Sequence, residues 1–514
     1  MTSPRGAELI AQDRSRLLGS VSLALFGQGA AFAFGLLCMV LTVRLLGPEN
    51  YGRLAMFFLI LAVLSQLLVS WPNMGLVRFG REELAERGAA AASFWARAVI
   101  FLATLLLAAG LLWIFRGPLE RYLGLGFAPH FLLLAYLALN EAIALCRALF
   151  QTVSRFRSYA LSNSLVRLFI LTGLTLLYLL LSRSGKPAGA AVVLEVHVAA
   201  LTAVTLVCLT LLPWSRLKPP GLNTAQARRM LSYSWPLMLG GLSVLVVDWV
   251  DLAVIKHFRS GAEVGLYAVA YQPVTVLSQL RVAVIAALLP LLISMGIEKR
   301  HESLTWFLDD AAPQAAWGIG LCCTVAAGLA ELIPPVLGEK FAPSIVPAQV
   351  LMAGVAFSMF GAIQTAVAQA FDKLRAAAAV LIALALFNTA GDLLLVPVIG
   401  ILGAAIATTA AFAISGLLYF PVLNAIEPLR SGASGRRYLA LAGLLPALLF
   451  AILAVLLNNP AQRLIACAAV LLVALLAAKW IGVFKRATMD RMERVQMPGW
   501  AREGLRKFYA ILGR

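Results

Sequence analysis

Apolar residues run through this chain in blocks of twenty or more, separated by short polar breaks. The blocks show neither the two-residue alternation of a half-buried strand nor the one-sided spacing of a surface helix. A helix needs about 20 apolar residues to cross a hydrocarbon layer of ~30 Å. The pattern predicts spans at 17–46, 53–76, 93–115, 130–154, 158–182, 188–213, 230–256, 264–296, 312–337, 344–370, 376–396, 400–424, 438–458 and 462–484. Spanning barrels would instead show alternating segments of about ten residues, which are absent from the sequence. The first block is followed by Arg44 with no small-residue cleavage site, so it reads as a retained span and not a signal peptide.

The breaks recur. Gly47 and Glu49 in LGPENYGRLA return as Gly261 and Glu263 in RSGAEVGLYAVA, at an offset of 214, and Gly189-Ala190-Ala191 returns as Gly403-Ala404-Ala405 at the same offset. Between these anchors QTVSRFR, from Gln151, matches QAFDKLR, from Gln369, at an offset of 218. Two copies of a six-span unit therefore enter the membrane in the same direction. Parallel repeats of this kind favour alternating access about a site near the midplane. The expected division is an N-terminal lobe at 1–214, a cytoplasmic linker at 215–229, a C-terminal lobe at 230–425, two further spans at 426–484 and a basic amphipathic tail at 485–514. The predicted fold is an all-α polytopic membrane protein of fourteen helices. Its two six-helix lobes would be related by a pseudo-two-fold axis along the membrane normal, with two extra C-terminal helices.

Composition sharpens this reading. Of 514 residues 61% are hydrophobic and 13% charged, and the mean hydropathy is +0.89, outside the range of soluble domains. With the N-terminus placed in the cytoplasm, 28 Lys and Arg fall in cytoplasmic loops and ends against 10 outside, so both termini are expected in the cytoplasm. That asymmetry accounts for most of the +18 net charge without nucleic acid. The six cysteines sit in apolar spans without metal-ligand spacing and read as small buried hydrophobes. No P-loop or enzyme constellation appears, no cofactor is implied, and the chain is expected not to be an enzyme.

LGPENYGRLAMF, DLAVIKHFRSGAEVGLYAVA and NTAGDLLLVPVIGILGAAIATTAA resemble the polysaccharide and O-antigen flippases of the multidrug, oligosaccharidyl-lipid and polysaccharide exporter superfamily. The third stretch is the most specific, with Asn388, Asp392, Pro397, Gly400, Gly403, Ala404 and Ala405 in the family order. The resemblance covers residues 15 to 425. It implies two six-helix lobes in a bacterial inner membrane. They would move an undecaprenyl-diphosphate-linked glycan to the outer leaflet, among membrane lipids and other polysaccharide-assembly proteins. The alternative is a cation-coupled drug antiporter of the same superfamily. Residues 17 to 46 hold no Asp or Glu, whereas such antiporters often carry a carboxylate there.

Ionisable residues inside spans are costly, by ~2.5–3.5 kcal/mol at a helix centre, which makes each a functional candidate. Arg147 and Arg167 flank one cytoplasmic turn and lie roughly 13–17 Å deep, a depth that suits a diphosphate. Pairing with Glu141 or Glu195 to lock helices is the other reading. Tyr267, Tyr271, Thr275, Ser278 and Arg281 share one face of span eight, to stack on sugars and hold phosphate or to bond neighbouring helices. Asp248, Asp251 and Glu141 are candidates for coupling to protons or sodium, or for balancing charge. Asp392 is read as a helix cap near the outer end of span eleven, and His197 as a packed, hydrogen-bonded core residue.

Overall fold

The computed structural model describes residues 4–125, 129–184, 188–218, 223–297, 301–426, 434–484 and 503, with backbone only at 4–32, 182–184, 278–291, 294–297, 301–303, 434–438 and a few single positions. The linker residues 219–222, the Arg281 and Ser278 side chains, and the basic tail apart from Glu503 lie outside the described residues. Helices account for nearly all of the described chain, and no strand occurs among these residues.

In order the helices are α1 (Pro4–Leu64), α2 (Asn73–Arg87), α3 (Ala91–Ile114), α4 (Arg116–Leu123), α5 (Pro129–Thr152), α6 (Phe156–Ser184), α7 (Ala190–Leu211), α8 (Thr224–Phe258) and α9 (Gly261–Ile297). They continue as α10 (His301–Trp306), α11 (Ala312–Leu329), α12 (Ile333–Leu337), α13 (Ile345–Ala370), α14 (Leu374–Ile399), α15 (Ile401–Ile426), α16 (Ser434–Leu456) and α17 (Pro460–Ile481). Eleven segments among the described residues are long and apolar enough to cross a membrane. One of them, Ala33–Val69, takes in parts of both the first and second expected spans, and Gly47 at φ 68, followed by Pro48, breaks α1 between them at the expected turn. The long helices α8 and α9 lie where spans seven and eight were expected. The arrangement is consistent with fourteen crossings.

The chain divides into two compact units, Met1–Leu245 and Val246–Arg514, with the boundary inside α8. In the first unit α1 packs on α6, and α5 packs on α2 and α7. The Glu83 carboxylate accepts from the backbone N–H groups of Ala92 and Ser93 at 2.9 and 2.8 Å, so a negative charge sits at the N-terminus of α3, where the helix dipole favours it. In the second unit α13 is the central helix, buried on nearly every side by α9, α11, α15 and α16. The C-terminal pair is part of this core. A Cβ at Gly320 of α11 would meet the Gly443 carbonyl of α16 at 2.0 Å, and the Trp317 indole donates to the Leu439 carbonyl at 3.0 Å. Arg463 of α17 pairs with Glu331 at 2.7 Å, both 8% exposed, and Gln349 donates to the same carboxylate at 2.9 Å.

The repeat is visible in backbone detail. Ser154 and Asp372 are the non-glycine residues with positive φ among those described, both at 57°, and they stand 218 residues apart in the matched QTVSRFR and QAFDKLR turns. The following N–H groups, of Arg155 and Lys373, reach back to the carbonyls of Phe150 and Ala368 respectively, each at 2.8 Å. Both units thus end their fourth span with the same left-handed C-cap. All six cysteines are free, and five are buried as expected; Cys322 is exposed, on an outward face of α11.

Candidate functional site

Among the described residues three groups of polar side chains lie among the apolar helices, one in the second unit and two in the first. The cluster in the second unit centres on Asp251 of α8, which is 1% exposed. Its Oδ1 accepts from Asn388 Nδ2 at 2.8 Å, and its Oδ2 accepts from Thr408 Oγ1 at 2.7 Å and from the Tyr267 hydroxyl. Close helix approach makes this possible. A Cβ on Gly391 of α14 would meet the Ala407 Cβ of α15 at 2.8 Å, so the neighbouring Asp392 and Thr408 are drawn into one compartment. Asp392 is no helix cap. It is fully buried in the body of α14, because the helix continues to Ile399 beyond the expected end of the span. Its carboxylate lies beside that of Asp251, and neither Asp392 oxygen has a donor among the described residues. The Asn388 Oδ1 is likewise without a donor.

Three donor-less oxygens beside a second carboxylate define a place short of positive charge. Two carboxylates side by side away from water repel unless one of them holds a proton or a cation sits with them. Oxygen-only ligands suit a proton or a hard monovalent ion, and no group of three His, Cys, Asp or Glu suited to a metal ion occurs among the described residues. Tyr267 is 1% exposed and committed to Asp251, while Tyr271 stacks beside it at 5.9 Å. Asp248 is half-buried one turn earlier on α8.

One of the two groups in the first unit is positive. Arg147 of α5 donates from Nε to Ser162 Oγ at 3.2 Å and from Nη2 to the Ser162 carbonyl at 3.0 Å, tying α5 to α6. Its bonds go to neither Glu141 nor Glu195. Arg167 is exposed in the middle of α6, near Gly35 of α1, and its guanidinium has no ion pair or hydrogen bond among the described residues. His197 of α7 is packed as expected, but neither ring nitrogen has a partner among the described residues.

Glu141 belongs to a separate network that the sequence did not announce. It accepts from Ser65 Oγ at 2.5 Å, at a π-helical turn Ser65–Val69 where the second span is interrupted. Arg97, fully buried, donates to the freed Val69 carbonyl at 2.7 Å and to Asn73 Oδ1 at 2.9 Å. A charged donor on the open carbonyl end of a helix is favoured by the dipole as well as the bond.

The helical architecture is that of a multi-pass membrane protein. A structure of the lipid II flippase MurJ in an inward closed conformation matches it with a TM-score of 0.64 at 15% identity, over 88% of this chain and 97% of that one. An inward-facing multidrug resistance MATE family transporter of the MOP superfamily matches with a TM-score of 0.61 at 15% identity, over 80% and 99%. A point mutant of the Vibrio cholerae MATE transporter VcmN gives 0.53 at 16% identity, over 80% and 97%. At these identities the likeness is one of fold. Comparison with curated protein sequences gives no match. Residues 17–295, more than half of the chain, match the model of the polysaccharide biosynthesis protein family, and the chain belongs to that family.

Proposed function

We propose that this protein moves an undecaprenyl-diphosphate-linked oligosaccharide from the cytoplasmic to the outer leaflet of the bacterial inner membrane, for O-antigen, capsule or exopolysaccharide assembly. The two lobes give alternating access, and both termini lie in the cytoplasm. Arg167 carries this reading. An unpaired guanidinium at mid-span is costly to keep, and its planar, permanently charged fork suits phosphate oxygens. Arg147, and Arg281 on α9, would add charge along the path of the diphosphate.

Transport is coupled to H+ or Na+ bound with Asp251, Asp392, Asn388 and Thr408. Every one of these side chains is 0–1% exposed, so the compartment suits a bare ion and is too enclosed for a drug molecule. A cation-coupled antiporter would use such a compartment equally; what weighs against that alternative is the positive sign of the Arg147 and Arg167 group in the first unit.

The deciding experiment reconstitutes the protein in vesicles with a fluorescent undecaprenyl-diphosphate sugar and follows its appearance in the opposite leaflet. Arg167→Gln should slow the movement at least about tenfold at unchanged protein level. If Arg147→Ala, Arg167→Ala and Arg281→Ala all transport normally, or if the wild type exports cationic dyes instead, the reading is wrong.

A further inference from the structure

Arg97 and Glu141 carry opposite charges inside the first unit, 0% and 2% exposed, and each leaves one atom unused. Arg97 commits Nη2 to the Val69 carbonyl and Nε to Asn73, while Nη1 has no partner among the described residues. Glu141 accepts at Oε1 from Ser65 and, at 3.4 Å, from Asn140 Nδ2, while Oε2 has no partner among them. The two lie within electrostatic range yet form no ion pair. Each grips a different end of the interruption in the second span: Glu141 its start at Ser65, Arg97 its finish at Val69 and Asn73. The Ser70 N–H closes the π-helical turn on the Ser65 carbonyl at 2.9 Å, and the Asn73 N–H turns back to the Ser70 carbonyl at 3.1 Å. The Val69 carbonyl is thereby left open to Arg97, and Pro72, which has no N–H, keeps the segment from closing into an uninterrupted helix.

Buried polar atoms almost always have a partner, and a buried charge short of one is costly. Here two such atoms, of opposite sign, belong to groups holding the same π-helical turn, an element that recurs at functional sites. If Arg97 left Val69 and paired with Glu141, Nη1 and Oε2 would both be satisfied and the Val69 carbonyl would lose its cap. Each arrangement meets demands that the other leaves open, as two exchanging states require. The turn also touches the helix that leaves the unit. Gln66 Nε2 donates to the Met238 carbonyl of α8 at 3.5 Å, and a Cβ on Gly241 would stand 2.0 Å from that nitrogen. α8 passes into the second unit just beyond, between Leu245 and Val246, and the pair Gly240-Gly241 gives it a place to bend.

We propose that Ser65–Val69 is a two-state hinge of the transport cycle, with Arg97 clasping the Val69 carbonyl in one state and the Glu141 carboxylate in the other. Gln66 passes the change to the Gly240-Gly241 stretch of α8. This rests on the alternating access proposed above and not on the identity of the cargo.

Spin labels on cysteines replacing Glu49 and Met74, exposed residues on either side of the turn, report its bend by pulsed electron paramagnetic resonance in nanodiscs. Cys322→Ser removes the exposed native thiol. Measured with and without an undecaprenyl-diphosphate sugar, the otherwise wild-type chain should show two distance populations. Glu141→Gln keeps an acceptor for Ser65 but removes the charge that Arg97 would reach. It should leave one population, slow lipid movement in vesicles about tenfold, and not lower the unfolding temperature, because it takes away a buried charge. Gln66→Ala should keep both populations and slow the movement. The inference is overturned if the wild-type turn shows a single distance throughout, if Glu141→Gln keeps both populations, or if it only lowers the unfolding temperature, as a packing role would. Normal movement in Gln66→Ala overturns the link to α8. If the distances behave as expected but wild type moves no diphosphate lipid, the flippase reading fails and the hinge stands.

Discussion

At the scale of single residues, Asp251 is the position where a small change has the largest expected consequence. Its carboxylate gathers Tyr267, Asn388 and Thr408, and Asp392 lies alongside. A ligand that binds only the folded protein raises its unfolding temperature, so a coupling cation should stabilise the wild type in detergent. Asp251→Asn should erase that stabilisation and stop glycan export. Thr408→Val removes one hydrogen bond to the carboxylate and should weaken cation binding about tenfold. Thermal unfolding against sodium concentration and pH checks both; unchanged cation dependence in Asp251→Asn would remove this aspartate from the coupling site. Asp251 stood out in the sequence because a charge in an apolar run is conspicuous. Tyr267 and Asn388 also stood out, one on the polar face of span eight and the other in the family order, but their meeting with Asp251 and Thr408 did not, since it depends on the Gly391–Ala407 approach. Asp392 was misread because the apolar pattern placed the end of its span several residues too early.

Between residue and domain lie the interrupted elements. The second span is continuous as a hydropathy block, yet the chain makes a π-helical turn at Ser65–Val69 and resumes at Asn73. Arg97 caps this interruption from α3. Leaving the Val69 carbonyl and Asn73 without their donor should cost about 3 kcal/mol in Arg97→Leu, with partial recovery in Arg97→Lys. Chemical unfolding of the purified variants measures this, and a loss below about 1 kcal/mol would show that the cap is dispensable. Hydropathy cannot reveal such a break, because Leu67, Leu68 and Val69 are as apolar as any helix interior; Arg97, close to the edge of its block, resembled a flanking charge. Turns with their own chemistry were legible. Gly47-Pro48 announced itself, and the paired QTVSRFR and QAFDKLR turns proved alike down to their left-handed residue.

For the whole molecule, hydropathy and internal repetition were enough to anticipate an all-helical, multi-pass chain, because both follow from covalent order alone. The way the final two helices join the second unit was not readable, since it depends on glycine contacts and an ion pair between distant segments. Glu331 and Arg463 should show strong coupling in a double-mutant cycle. Glu331→Gln or Arg463→Met alone leaves a buried charge unpaired and should cost about 3 kcal/mol, while the double variant recovers much of it. Gly320→Leu would press against the Gly443 backbone and should lower the unfolding temperature of the protein while leaving Arg167-dependent lipid binding intact wherever the fold survives.

The matched turns at Ser154 and Asp372 mark two descendants of one ancestral six-helix unit, and those descendants have parted in charge. Where the second copy keeps Asp251 and Thr408, the positions 214 residues earlier are Leu37 and Leu194, and Asn388 and Asp392, counted at the 218 offset of the turn that opens α14, answer to Ile170 and Leu174. Arg167, at the same 218 offset, faces Ala385. Under the proposed function, the ion-coupling groups belong to the second copy alone, while Arg147 and Arg167, the charges met by the cargo in the first, have no counterpart there. Selection for a new glycan coat can then rewrite the first half of the gene without disturbing the power source encoded in the second.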